Sequence, residues 1–302
     1  MPFKLDPDEA VAEGIRRIAG EQIDAALREI AESKPGDPET VHAFRKRCKK
    51  VRGLLRLAHG PLGAEGTFRI ENAAFRDAAR DLSAARDADV LLATYDALAD
   101  WSNGAMDRRA TAPIRARLTG HRDRLHDATA AGVPGQLEQA AGFLRRARQR
   151  VASWKIDARG FKEVRPGLLR TYRAAYAAHE RALALPAAEL LHEWRKHVKY
   201  HRTHMRLLQR VTDPSTADRN EPANELGELL GDDHDLAVLR RRISVDDAAF
   251  GGIAARWTFV SLIDQRRRGL QTEAFGLGET LFAEKPKAFV KRIGKEWIGE
   301  PG

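Results

Sequence analysis

At 302 residues, with 31% charged side chains, a net charge of +9 and an isoelectric point near 9.8, the chain can bury one large or two modest cores and is biased toward acidic partners. Its one cysteine, Cys48, excludes an intrachain disulfide and fits a reducing compartment. No run of eighteen uncharged apolar residues occurs, and the N-terminus has no apolar stretch of signal-peptide length, so a soluble, cytoplasmic protein with no membrane partner is expected.

Helical periodicity runs through the chain and alternating β-branched runs are missing, which predicts an all-α fold. A first helix is expected over about residues 7 to 33, stopping at Lys34-Pro35-Gly36. Asp37-Pro38-Glu39 then supplies an N-cap, a first-turn proline and an early acid for a second helix that ends near His59-Gly60-Pro61. Further helical segments are expected at about 68 to 101, 107 to 131 and 135 to 155. After residues 156 to 162 the order repeats. Gly167-Leu168-Leu169-Arg170 echoes Gly14-Ile15-Arg16-Arg17, Pro186 opens another helix, and Asp213-Pro214-Ser215 closes it.

The repeat is plainest in the second helix of each set. Val41 to Leu57 returns 150 positions later as Leu191 to Leu207, so the chain reads as a tandem duplication with halves 1–158 and 159–302. On a helical wheel of about 100° per residue, His42, Arg45, Lys46, Lys49, Arg52 and Arg56 share one stripe. His192, Arg195, Lys196, Lys199, Arg202 and Arg206 form its counterpart. Phe44, Cys48, Trp194 and Val198 back the two stripes on the apolar side. Exposed helix faces usually mix signs, because like charges four residues apart weaken a helix. These stripes contain no acid and occur twice, which argues for a polyanion rather than an ordinary solvated face.

A second matched element follows each basic helix, carrying Arg86-Asp87-Ala88-Asp89-Val90 in one half and Asp232-Asp233-His234-Asp235-Leu236 in the other. Together with the His-x-x-Arg-Lys-x-x-x-Lys-x-x-Arg pattern at 42 to 52 and 192 to 202, these residues resemble the CHAD family, the conserved histidine α-helical domain, over about residues 8 to 285. The resemblance implies two antiparallel helical bundles related by pseudo-twofold symmetry, with the basic helices facing a central cavity that holds inorganic polyphosphate. It assigns the twelve stripe residues as phosphate contacts, with Arg17 and Arg170 in the preceding helices as further candidates. It also implies phosphate or sulfate ions in the cavity and an association with polyphosphate granules. The chemistry agrees: arginine offers a planar fork to phosphate oxygens, and lysine a point charge tolerant of sliding.

Other readings compete. Asp87, Asp89, Asp233 and Asp235 could hold a divalent cation, but capping or pairing with arginine is the favoured role. His197, His201 and His204 share a helix face, yet their counterparts Arg47, Val51 and Leu54 could not bind metal, so a core or boundary role is favoured. His192-Glu193 with His197 misses the zinc-protease spacing by one residue, and no phosphate-loop, nucleophile-elbow or dinucleotide glycine pattern occurs. The expectation is therefore a non-enzymatic protein without cofactor, metal or catalytic residues. Nucleic acid is the second candidate partner, disfavoured because the stripes lack aromatic platforms for bases. A metal-dependent phosphohydrolase comes third, and an adaptor that reaches polyphosphate granules is compatible with the first reading.

Overall fold

The computed structural model describes residues 3–33, 38–63, 66–80, 84–130, 132–214, 219–245 and 250–298. Among these, the secondary structure is helical, in twelve helices with no strand. They are α1 (Val11–Ala31), α2 (Pro38–Leu57), α3 (His59–Gly63), α4 (Thr67–Arg80), α5 (Ala84–Trp101), α6 (Ala112–Ala130), α7 (Val133–Ala152), α8 (Phe161–Ala184), α9 (Ala188–Leu208), α10 (Asn220–Val245), α11 (Ile253–Leu281) and α12 (Pro286–Lys295). The basic helices are α2 and α9. Lys34-Pro35-Gly36, Asp37, Ala131 and Ser215, each invoked above as a helix stop, cap or boundary, lie outside the described residues.

The segment expected at 68 to 101 is helical over Thr67–Arg80 (α4) and Ala84–Trp101 (α5), and the matching stretch of the second half is the 26-residue helix α10.

Two apolar cores organise the chain. The larger joins α1, α2, α3, α4, α7, α8, α9 and α12 with the first part of α10 and the last part of α11, and Phe44, Leu54, Trp194 and Val198 are each fully buried in it. It draws residues from both sides of position 158, so the repeats interpenetrate. The smaller core packs Tyr95 of α5 and Ile114 of α6 against Leu239 of α10 and Phe259 of α11, again across the boundary. Burying a side chain such as Phe44 contributes about 1.5–3 kcal/mol, and the apolar backs of the basic helices supply many such residues.

The segment between the repeats is tied down. Arg16 of α1 donates from Nε and Nη2 to the Trp154 carbonyl at 3.1 and 2.9 Å, and Ala12 N–H donates to the Ala158 carbonyl at 2.8 Å. The chain start is tied to the second half as well, with Leu5 N–H on the Leu207 carbonyl at 2.8 Å.

The basic helices cross where backbones can approach. A Cβ on Gly53 would sit 2.4 Å from the Thr203 methyl, and Gly53 and Thr203 are equivalent positions of the repeat. His204, fully buried, donates from Nε2 to the Gly53 carbonyl at 3.2 Å. Gly167 of α8 is equally constrained, because a Cβ there would meet the Leu57 carbonyl oxygen at the end of α2 at 2.1 Å.

Candidate anion-binding site

Because α2 and α9 bury their apolar sides and meet at Gly53 and Thr203, their cationic sides come within electrostatic reach of one another. Lys49 and Lys199, equivalent lysines, show this best. Burial lowers the Lys199 pKa to about 7, assisted by Arg195, Lys49 and Arg202. Lys49 is lowered for the same reasons, burial first and then Arg45, Arg195 and Arg52. The Lys49 side chain is nevertheless open to water. Lys49 thus meets solvent while the neighbouring protein and cations disfavour its charged form.

The arginines follow suit. Arg195 is lowered by burial, opposed by Asp235 and Asp232, and its Nε is buried without a hydrogen-bond partner. Arg202 is lowered by burial and by Arg206. Arg56 is lowered by burial, with Arg52 and Arg170 adding to the effect and Tyr200 opposing it. Among the described residues no carboxylate forms an ion pair with Lys49, Arg52, Arg56, Arg195, Lys199 or Arg202. Lys and Arg are rarely left buried and unpaired, which makes this row the candidate anion-binding site.

Neutral side chains orient the row, and sequence reasoning did not find them. Arg52 Nε and Arg56 Nη1 donate to Asn72 Oδ1 of α4 at 3.2 and 2.7 Å, and Arg202 Nη1 donates to Asn224 Oδ1 of α10. Each asparagine follows its arginine by about twenty residues, 20 in one half and 22 in the other, and that near-constant separation was a signal available in the sequence. An amide fixes a guanidinium without cancelling its charge.

Tyr200 was also missed. Its ring lies 3.9 Å from the Arg56 guanidinium, and its hydroxyl accepts from Arg52 Nη2 at 3.4 Å. The cationic rows therefore carry an aromatic, contrary to expectation, although Arg56 covers it.

The remaining candidates divide. His192 Nδ1 lies 3.1 Å from His234 Nδ1, and both imidazoles are lowered by burial and then by neighbouring cations, His234 to about 4. His42 and Arg45 are half-buried, and Lys46 and Arg206 are exposed. Lys196 is held by Glu193 at 2.5 Å, so the second stripe does have an acid beside it. The wheel set Glu193 off the stripe, but a flexible side chain one position away reaches back. Arg17 is elsewhere: its guanidinium donates to Glu9, Glu21 and the Lys4 carbonyl, and the hydrogen bond to Glu9, foremost, raises its pKa. The geometry does not join Arg17 to the row. Arg170 Nη1 donates to His59 Nε2 at 2.8 Å, off the end of α2.

Asp233 is buried and accepts from Arg267 Nε at 2.9 Å and Gln271 Nε2 at 2.7 Å, while Asp89 meets His126 Nε2 at 2.9 Å. These are pairing roles. Burial raises the Asp235 pKa, with Arg195 and Lys199 opposing. Among the described residues, no group of three or more His, Cys, Asp or Glu could hold a metal ion. His201 and His204 are core residues, both lowered to about 3 by burial, with His201 edge-on to Tyr172 at 5.2 Å. Cys48 is buried, which pushes its thiol up to about 12. Among the described residues no helix is long and apolar enough to cross a membrane.

Fold and geometry together define a class: a protein that is all-helical among the described residues, with a repeated basic helix on which Lys49, Arg52, Arg56, Arg195, Lys199 and Arg202 have no carboxylate ion pair. Comparison with known proteins makes it specific. The family model of the CHAD domain matches residues 17–244, and the chain belongs to that family. The crystal structure of the CHAD domain from the plant Ricinus communis superposes with a TM-score of 0.55 at 18% identity, covering 97% of this chain and 96% of that one. At that identity the likeness establishes the shared fold. No curated protein matches the chain.

Proposed function

We propose that the protein binds inorganic polyphosphate, without catalysing a reaction, in a basic cavity between α2 and α9. The supporting observation is the Lys49 and Lys199 pair, one lysine from each repeat, crowded by Arg195 and lacking carboxylate partners among the described residues. In this reading the contacts are His42, Arg45, Lys46, Lys49, Arg52 and Arg56 with His192, Arg195, Lys196, Lys199, Arg202 and Arg206, and Arg170 lies at the margin. Pairing of Arg52 with Asn72 and Arg202 with Asn224 supports a pseudo-twofold arrangement, which suits an extended anion of regularly repeated charge. Phosphate or sulfate ions would occupy the same space, and association with polyphosphate granules follows as a cellular role.

Arg45→Ala combined with Arg195→Ala tests this by titration with long-chain polyphosphate. Wild type should bind and the double variant should bind far more weakly; equal affinity overturns the assignment. If about seven charges engage at ~0.7 per neutralised phosphate, wild-type affinity should fall about a thousandfold between 50 and 200 mM salt. Single-stranded RNA displacing polyphosphate at equal phosphate concentration would favour a nucleic-acid ligand instead. The cover of Arg56 over Tyr200 argues against that outcome, because it occupies a ring face that a base would need.

A further inference from the structure

The duplication provides an internal control on the helix that precedes each basic helix. A shift of 153 positions sets Arg17 of α1 against Arg170 of α8, Gly20 against Arg173, Glu21 against Ala174, Asp24 against Ala177 and Arg28 against Arg181. On the neighbouring basic helices, Arg47 corresponds to His197.

In the first copy this lane is neutralised and covered. Arg17 is held by Glu9 and Glu21, and Arg47 by Glu29 at 2.5 Å and Gln22 at 2.9 Å. Arg148 of α7 lies over Gly20 and pairs with Asp24 at 3.1 Å.

In the second copy the two acids have become alanines and the glycine has become an arginine. The result is an open groove of about 560 Å³ whose lining includes Leu169, Arg170, Arg173, Ala174, Arg181 and His197. Among the described residues no carboxylate pairs with Arg170, Arg173 or Arg181. His197 has one acid near it, Glu193 at 3.7 Å, which is also held by Lys196. Three arginines along one helix face, without the acids that balance the equivalent face, weaken the helix unless an anion compensates.

The groove continues the row on α2. Arg170 bonds His59 just beyond the end of α2, and the charge of Arg170 acts on Arg56 as that of Arg56 acts on His197. A cationic path thus runs from Arg56 past His59 to the face of α8.

We propose that this groove is a second phosphate-binding lane, taking the part of an inorganic polyphosphate chain that extends beyond the two basic rows. It rests on the polyphosphate reading above and adds a site present in one repeat only. Arg170 and Arg173 grip the chain near Arg56, and Arg181 extends the lane along α8. Ala174 and Ala177 leave the room that Glu21 and Asp24 deny to the first copy.

Two double variants at half-buried or exposed positions of the full-length protein test the lane. Arg173→Ala with Arg181→Ala removes cations; Ala174→Glu with Ala177→Asp restores the first copy's acids. Each is titrated with tripolyphosphate, too short to span both regions, and with long-chain polyphosphate. Tripolyphosphate affinity should stay within about twofold of wild type, while long-chain affinity falls about tenfold. In the arginine variant the salt dependence should lose about 1.4 from its slope, ~0.7 per charge. If both variants bind the long chain like wild type while Arg45→Ala with Arg195→Ala does not, the lane is overturned and the central site stands. If wild type binds neither phosphate, both proposals fall. If the variants lose single-stranded RNA but keep polyphosphate, the lane serves another anion and this assignment is overturned.

Discussion

Arg17 and Arg195 belong to the same duplicated, arginine-rich chain, yet their surroundings act on them in opposite senses. Glu9 and Glu21 close around Arg17 and raise its pKa. Arg195 sits beside Gly231, where burial lowers it and Nε has no partner. The first is a fastener that ties the chain start to α1. The second is held in an unfavourable state by the packing of α9 on α10. Cation content is spread widely in this protein, so counting arginines does not find a site; the sign of the pKa shift and the identity of the neighbour do.

The sharpest way to break this comparison is to remove the two crowded lysines. Lys49→Ala with Lys199→Ala should weaken polyphosphate binding on the order of a hundredfold, from about 1.5 kcal/mol for each charge-assisted contact. The fold should hold or gain stability, because like charges are relieved. A double variant that unfolds by thermal scan at much lower temperature would show that the lysines support the structure instead.

Arg17→Ala should behave the other way. It leaves Glu9 and Glu21 facing each other with reduced solvation, and the fold should lose about 1–2 kcal/mol by chemical denaturation, after allowance for partial solvent screening. Polyphosphate affinity should not change, and a marked loss would return Arg17 to the site.

A further effect is in pH. Lys199 releases its proton near pH 7 when folded and near 10.5 when unfolded, so between these values the unfolded chain holds more protons. Stability from this group is present at high pH and is lost as pH falls through 7. A bound polyanion favours the charged lysine, so binding at pH 8 should take up protons and weaken as pH rises from 7 to 9. Calorimetry in two buffers of different ionisation enthalpy measures the uptake; none in wild type, or the same uptake in Lys199→Arg, would contradict the assigned crowding.

Much of this was legible in the residues. Apolar spacing found the helices, and the burial of Phe44, Cys48, Trp194 and Val198 follows the wheel directly. Buried His201 and His204 agree with a core role. The duplication was visible because a charged helix with fixed spacing survives substitution in a way that a turn does not. Asn72 and Asn224 carry no periodic signature as uncharged amides, and their near-constant distance of 20 and 22 residues from Arg52 and Arg202 gains meaning only once the pairing is seen. The capture of Arg17 by Glu9 was hidden too, since Glu9 belongs to the irregular segment before α1. Glu193 shows the limit of the wheel itself, which places Cα positions on a circle while carboxylates swing several ångströms.

The crossing at Gly53 and Thr203 has one more implication. Two rotatable cation rows could drift to any separation, but here a bare Cα against a threonine methyl sets the distance. Even a single methyl added at Gly53 would wedge the repeats apart and shift every guanidinium and ammonium of one row relative to the other. The gauge of the pair is thus set by the side chain that Gly53 lacks and by a Thr203 rotamer held through its hydroxyl on the Lys199 carbonyl at 2.8 Å.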